Sequence, residues 1–328
     1  MRMLRLLILS SVMLCLTGTV RSQSKPIIST RDVENFWIAY DSLKYSSDSI
    51  GTIQSLYINT GSRTLTKFLN QYGYSARDYV AIIRAYPEYW ESIRSVTLGI
   101  SRRKQEIESA LEKVKTLCEG FKTPDVYFII GCLKSGGTTR NNQIVIGSEL
   151  AAANSATVTH ELPHWQRSVI GHTGDIVAMV AHEAIHTQQK LLGFQFIWGY
   201  LNHRLLTLSL SEGAADFVSE LAIGEHINNA RMEFGLRYEE TLWKEFKKDM
   251  MKNDVSKWLY NGGSATTPDM GYFIGYQVCK SLYESLPDKK KAIKQILKMS
   301  YSKRFLKSSN YEKNGHILST FQFGRYTL

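Results

Sequence analysis

The sequence predicts an α+β fold that is mostly α-helical, with a small β-hairpin or sheet just ahead of one decisive helix. Three observations carry this. Four helical stretches with capping signals fill the region before residue 120. Two β-branched runs, Val126 to Leu133 and Gln143 to Gly147, then follow, with Gly136-Gly137 and Asn141-Asn142 between them. Beyond them lies an apolar, helix-compatible segment, Ile176 to Gln189, that carries His182-Glu183-Ala184-Ile185-His186.

Taken in order, Thr30 can cap a first helix over Asp32 to Leu43, whose early acids suit the helix dipole. A second is expected from about Thr52 to Tyr72, with an interruption near Gly61. Ser75 opens a third, which Pro87 breaks. Ser101 opens a fourth, rich in Glu and Lys, ending near Cys118. The two β-branched runs read as a hairpin. After the HExxH helix the sequence suggests a helix end at Gly193 and an aromatic loop (Phe194, Phe196, Trp198, Tyr200). A helix bearing Glu212 comes next, then a long one from Arg231 to Met251, and another starting near Asp269. From Tyr301 the periodicity is weak, as in a peripheral tail. The expected division is 1–22 leader, 23–120 N-terminal helical region, 121–300 catalytic-type region and 301–328 tail.

Residues four apart share one helix face. His182 and His186 can therefore chelate one zinc ion, while Glu183 sits beside them to take a proton from water. The plain alternative is an ordinary helix with two partly exposed histidines. A catalytic zinc usually takes three protein ligands. The continuation HExxHxxGxxH is absent, because Gln189 and Leu192 stand at its Gly and last His. Glu212 lies far enough past His186 for a loop to cross and a second helix to begin, so it is the expected third ligand, with Glu220 as fallback. Asp216, one turn after Glu212, suits a hydrogen bond to the far nitrogen of a ligating His, His182 first. Gly213 and Ala214-Ala215 are small enough to let the two helices approach closely around the metal. Tyr272 and Tyr276, also four apart, are candidates to line the cleft, and Tyr272 is favoured as an oxyanion donor. His160, His164, His172, His203 and His226 are other possible donors, each more readily explained as a surface or capping residue.

Tyr127-Phe-Ile-Ile-Gly131 with Ser135-Gly-Gly-Thr-Thr139, Ile144-Val-Ile-Gly147, the HExxH segment, Ser211-Glu-Gly-Ala-Ala-Asp216, Trp258-Leu-Tyr-Asn-Gly262 and Gly271-Tyr-Phe-Ile-Gly-Tyr276 occur in this order. HExxH followed by a Glu-x-x-x-Asp helix resembles the gluzincin metallopeptidases, the superfamily that contains thermolysin. The whole series resembles a bacterial group of predicted zinc-dependent proteases related to gliding-motility lipoprotein B. The resemblance implies a gluzincin-like domain over about residues 120 to 285. It also implies one Zn2+ and a peptide or protein substrate laid along a sheet edge by β-augmentation. Ile144, Val145, Ile146 and Gly147 are the candidate strand, or else part of a plain structural hairpin. Asn-Ala-x-Trp and Gly-x-Met-Glu-Asn motifs are absent, so endo- or exopeptidase action stays open. A non-catalytic envelope or assembly protein, or a zinc amidase acting on cell-wall peptides, keeps the same fold.

Arg2 and Arg5 ahead of the apolar run Leu6 to Leu16 read as a secretory leader, too short to span a bilayer, with a cut expected before Gln23. An exported, periplasmic or extracellular metallopeptidase is the expectation, with no membrane span. Net charge is +10, and Arg2, Arg5 and Arg21 would leave with the leader. The basic stretch Lys289 to Lys307 favours an anionic partner such as a lipid headgroup, or is the wet face of an amphipathic helix. No nucleic-acid motif occurs. Cys15 would leave with the leader. Cys118, Cys132 and Cys279 allow at most one bridge, and small buried hydrophobes is the favoured reading. Oligomeric state is not written in the sequence.

Overall fold

The structure, a computed structural model, describes residues 25–170, 175–189, 193–261, 268–298 and 301–314. The expected leader and His172 lie outside them. A short strand β1 (Ile28–Ser29) leads into helices α1 (Arg31–Ser42), α2 (Ser49–Ile53, continued by a π-turn over Gln54–Ile58), α3 (Arg63–Tyr72), α4 (Ala76–Ala85), α5 (Pro87–Gly99) and α6 (Lys104–Leu117). Strands β2 (Asp125–Ile129), β3 (Gly137–Arg140) and β4 (Gln143–Gly147) follow, then α7 (Ser148–Ala151), α8 (His164–Ile170), α9 (Ile176–Gln188), α10 (Phe194–Asn202) and α11 (Arg204–Ile223). The rest is α12 (Asn229–Arg237), α13 (Glu239–Asp249), α14 (Met270–Ser285), α15 (Lys289–Lys298), α16 (Ser302–Ser309) and α17 (Tyr311–Asn314). The fold is α+β and mostly helical.

Several elements differ from expectation for local reasons. Thr30 sits at the first helix's N-cap, but its hydroxyl goes to Glu34 Oε1 rather than to a backbone amide. Ser75 instead forms a full capping box with Asp78. Pro87 both ends α4 and opens α5, since a missing N–H costs nothing at the first helical position. The aromatic stretch after Gly193 is helix α10, not a loop. The expected long helix from Arg231 is two, α12 and α13, parted at Tyr238. The supposed tail begins as helix: Phe305, Leu306 and Tyr311 are buried in the core, and the Tyr311 hydroxyl donates to Glu239 Oε1 at 2.7 Å.

The sheet has the order β1-β2-β4-β3. β1, β2 and β4 run parallel, and β3 is antiparallel to β4, with Gly137 opposite Ile146 and Arg140 opposite Gln143. The hairpin is thus β3–β4, not the Val126 and Gln143 runs, which are parallel neighbours. Asn141 and Asn142 make its two-residue turn with φ of 50° and 59°. A left-handed pair of this kind matches strand twist and favours Asn. β4 is paired on both sides, and Ile144, Val145, Ile146 and Gly147 are buried. They cannot receive another strand, so the expected substrate strand is corrected: the outer strands are β1 and β3, and β3 is the one beside β4.

The segment between β2 and β3 is held from below. Tyr57 and Tyr79 both donate to the Ile130 carbonyl at 2.6 Å. Cys132 and Leu133 take successive positive φ values, which turns the amides of Gly131 and Leu133 onto the Glu149 carboxyl at 2.8 Å each. Burial raises the Glu149 pKa to about 7, although those amides favour the charged form. A carboxyl raised in the fold contributes stability that is complete below its unfolded value near 4.5. That stability is lost as pH rises through about 7. Glu149→Gln keeps an acceptor and removes the titration. Denaturant melts at pH 5 and pH 8 should show wild-type stability falling by about 2.5 kcal/mol more than the variant's. Parallel profiles would refute this assignment. Cys118, Cys132 and Cys279 are buried free thiols.

Candidate metal centre

Asp175 opens α9 by accepting from the Val177 amide at 2.8 Å, and Arg103 pairs with the same carboxyl. From there the apolar helix runs inward, and Val180, Ala181, Ala184 and Ile185 are buried beside His182 and Glu183. α11 is buried along most of its length and ends at Gly224, whose φ of 81° stops it. α9 supplies His182, Glu183 and His186. α11 supplies Glu212 and Asp216.

The two imidazoles and the first carboxylate converge. His182 Nε2 and His186 Nε2 are 3.1 Å apart. Glu212 Oε2 lies 3.2 Å from His186 Nε2 and 3.5 Å from His182 Nε2. Four ligands bound at 2.0–2.1 Å around a tetrahedral zinc lie about 3.3–3.4 Å from one another, so the spacing suits that ion. The far nitrogens are engaged. His182 Nδ1 meets Asp216 Oδ1 at 2.8 Å, and His186 Nδ1 meets Gln189 Oε1, also at 2.8 Å. With a cation bound, both Nδ1 atoms would donate to these partners and both Nε2 atoms would turn lone pairs to the ion beside Glu212. The place calls for positive charge, and without an ion a proton on an imidazole supplies it. Burial would lower His182, but its hydrogen bonds to Asp216 and Glu212 outweigh burial and raise it to about 10. Burial would raise Glu212, yet the imidazoles hold it well below the usual carboxylate range. The donor set fits zinc.

Around this cluster lies a cleft of about 660 Å³, within the range of ligand sites. Gly136 to Thr139 form one wall and Tyr260, Tyr272, Asn228 and Arg231 another. A methyl group on Gly137 would lie 2.6 Å from Glu183 Oε1, so β3 passes directly over that carboxyl. Burial pushes the Glu183 pKa above the ordinary carboxylate value, in the direction a general base needs.

Of the residues named from sequence, His182, His186 and Glu212 come together, and Asp216 and Tyr272 are beside them. Tyr276 does not join them. It is buried, with its ring 5.4 Å from Phe217 and 5.9 Å from His226. Glu220 is engaged by His226 at 2.7 Å, so it is not a fallback ligand. Gly213 does permit a close approach, but to Gly275 of α14, not to α9: a methyl there would lie 2.1 Å from the Gly275 carbonyl carbon. Among the described residues, no histidine besides His182 and His186 lines the cleft.

Three residues escaped the sequence. Gln189 accepts from His186 and donates to the Ser211 carbonyl at 2.8 Å, tying α9 to α11. Tyr260 donates to Glu212 Oε1 at 3.0 Å, leaving Oε2 for the cluster. Arg231 pairs with the second oxygen of Asp216 and stacks 4.6 Å over Tyr272. Tyr260 stood inside the quoted Trp258-to-Gly262 series and Gln189 at the position where another continuation has Gly. Arg231 had no sequence signal.

Residues 107–306 match the family model described as "Predicted Zn-dependent protease (DUF2268)". The chain belongs to this family. Within the DUF2268 match fall α9, α11, β3 and the Tyr260 and Tyr272 wall, so the cluster and nearly all of its cleft are family sequence, with Tyr72 of α3 lining the cleft from outside the match. No curated protein and no solved structure matches the chain.

Proposed function

We propose that this protein is an exported zinc-dependent peptidase of the gluzincin type. The observation that carries it is the spacing of His182 Nε2, His186 Nε2 and Glu212 Oε2, with both Nδ1 atoms committed to Asp216 and Gln189. A zinc ion held by these three groups would polarise a carbonyl and bring the pKa of a water toward about 7.

The chain's own residues do the remaining work. Glu183 accepts the proton of the attacking water and passes it to the departing amine. Tyr260 orients Glu212 and, with Tyr272, presents hydroxyls to the cleft. Desolvation around the hydroxyl and the Glu212 carboxylate beside it push the Tyr260 pKa up, although the ring itself is exposed, so the hydroxyl stays a donor. Arg231 compensates Asp216, which otherwise would leave a second buried negative charge beside Glu212. β3 offers its free edge to an extended peptide, whose main chain would pair with Gly137–Arg140 while the scissile bond lies over Glu183.

Wild type should contain about one zinc per chain by plasma mass spectrometry and cut members of a mixed peptide library. His186→Ala should lose the metal and all cleavage, since one ligand of three is gone. Stoichiometric zinc with no cleavage of any peptide would instead favour a metal-bearing envelope scaffold.

A further inference from the structure

Helix α10 is amphipathic the wrong way round for a core helix. Phe194, Ile197, Trp198 and Leu201 fall at helical spacing on one face, and all four are exposed, Phe194 at 71% and Leu201 at 61%. The opposite face is the docked one. Gly199 is buried, and a methyl on it would lie 2.6 Å from Thr207 Oγ1 and 3.2 Å from Ser302 Oγ. The helix is therefore packed on α11 and α16 through its small residue and turns its large apolar side chains outward.

The rim of this stripe is basic. Trp198 packs edge-on against Tyr301 at 5.6 Å, the residue that leads into α16, and Arg304 lies over that Tyr301 ring. Lys303, Arg304 and Lys307 are exposed. On the other side Arg204 lies 4.5 Å over the Tyr200 ring. No acid occurs from Gly193 to Ser211 or from Tyr301 to Tyr311. An apolar aromatic face with a basic rim is the pattern of a helix lying in a membrane interface; the acid nearest the end of α10 is Asp254, next to the Asn253 that holds the Leu201 carbonyl. Its nine residues are too short to cross one, and among the described residues no helix is long and apolar enough to do so.

We propose that α10 docks this protein on an anionic lipid surface, with Phe194, Ile197, Trp198 and Leu201 entering the headgroup boundary and Lys303, Arg304 and Arg204 meeting lipid phosphates. Phe196, on the face of the same helix turned away from the stripe, lines the cleft, so the docking helix also borders the cleft. This reading stands whether or not the site cuts peptides.

The test is co-sedimentation with vesicles of pure phosphatidylcholine and of phosphatidylcholine carrying phosphatidylglycerol. It uses protein recovered from the exporting cell with its N-terminus read by mass spectrometry. Wild type should bind the anionic vesicles and release them as salt rises. Phe194→Asp/Leu201→Asp and, separately, Lys303→Glu/Arg304→Glu should each weaken binding by roughly tenfold or more. Unchanged thermal midpoints would show that these exposed substitutions leave the fold alone. Absence of wild-type binding overturns the proposal. So does anionic binding that the apolar variant keeps, which is charge attraction alone. A wild-type dimer in sedimentation velocity that the Asp variant splits, with no vesicle binding, assigns the face to a second copy of the chain instead.

Discussion

Glu183→Gln should keep its zinc and lose roughly 10²–10⁴-fold in kcat. The amide has the shape of the carboxylate and sits under the same Gly137 backbone, but it cannot accept a proton from water. None of the groups that face the metal position belongs to residue 183, so affinity should stay within a few-fold of wild type. Two measurements are needed together: zinc content by plasma mass spectrometry and single-turnover cleavage of a peptide that wild type cuts. A variant that loses its zinc would make Glu183 part of the binding set. One that cuts at the wild-type rate would remove it as the base and leave the chemistry to another group in the cleft.

The second large effect is expected far from the proton transfer. α11 and α14 touch backbone to backbone: a methyl on Gly275 would lie 1.7 Å from the Ser209 carbonyl oxygen and 3.2 Å from Gly213 Cα. No rotamer relieves that clash, so Gly275→Ala must push the helices apart. Overpacking of this kind costs about 1–3 kcal/mol, and more where only backbone can yield. Glu212 is the residue before Gly213, so the displacement reaches a proposed metal ligand directly. The variant should melt at lower urea and bind zinc at least roughly tenfold more weakly, since ligand geometry governs a site of this kind. Gly99→Ala is the control. Nothing lies within 4 Å of a methyl there and its φ is −64°, so it should be neutral or stabilise by about 0.4–1 kcal/mol. Equal behaviour of the two variants would refute the contact argument.

The site was legible in the sequence where one helix decides geometry. The i, i+4 spacing of His182 and His186 needs no tertiary information, and neither does the i, i+4 spacing of Glu212 and Asp216. What failed depended on which face met which neighbour. Tyr272 and Tyr276 share a helix face, yet only Tyr272 reaches the cleft, because Phe217 and His226 receive the other ring. The hairpin partner was misread because Val126 to Leu133 is the stronger β-former. The actual partner, Gly-Thr-Thr-Arg, has no apolar residue to announce it, as suits an outer strand exposed on one side. α10 was read as a loop because its apolar stripe has no core to face. Gln189, Tyr260 and Arg231 act through long-range pairs that no local pattern encodes.

The twin tyrosine grip on Ile130 has a wider consequence. Tyr57 and Tyr79 belong to helices well upstream of residue 107, where the family match starts. Their hydroxyls hold the stretch that feeds the strand roofing Glu183, and Phe36, Trp37 and Trp90 fill the same continuous core. A fragment trimmed to the matched stretch would lose that buttress. A chain starting at residue 107 should therefore be less stable than one that keeps the first helix.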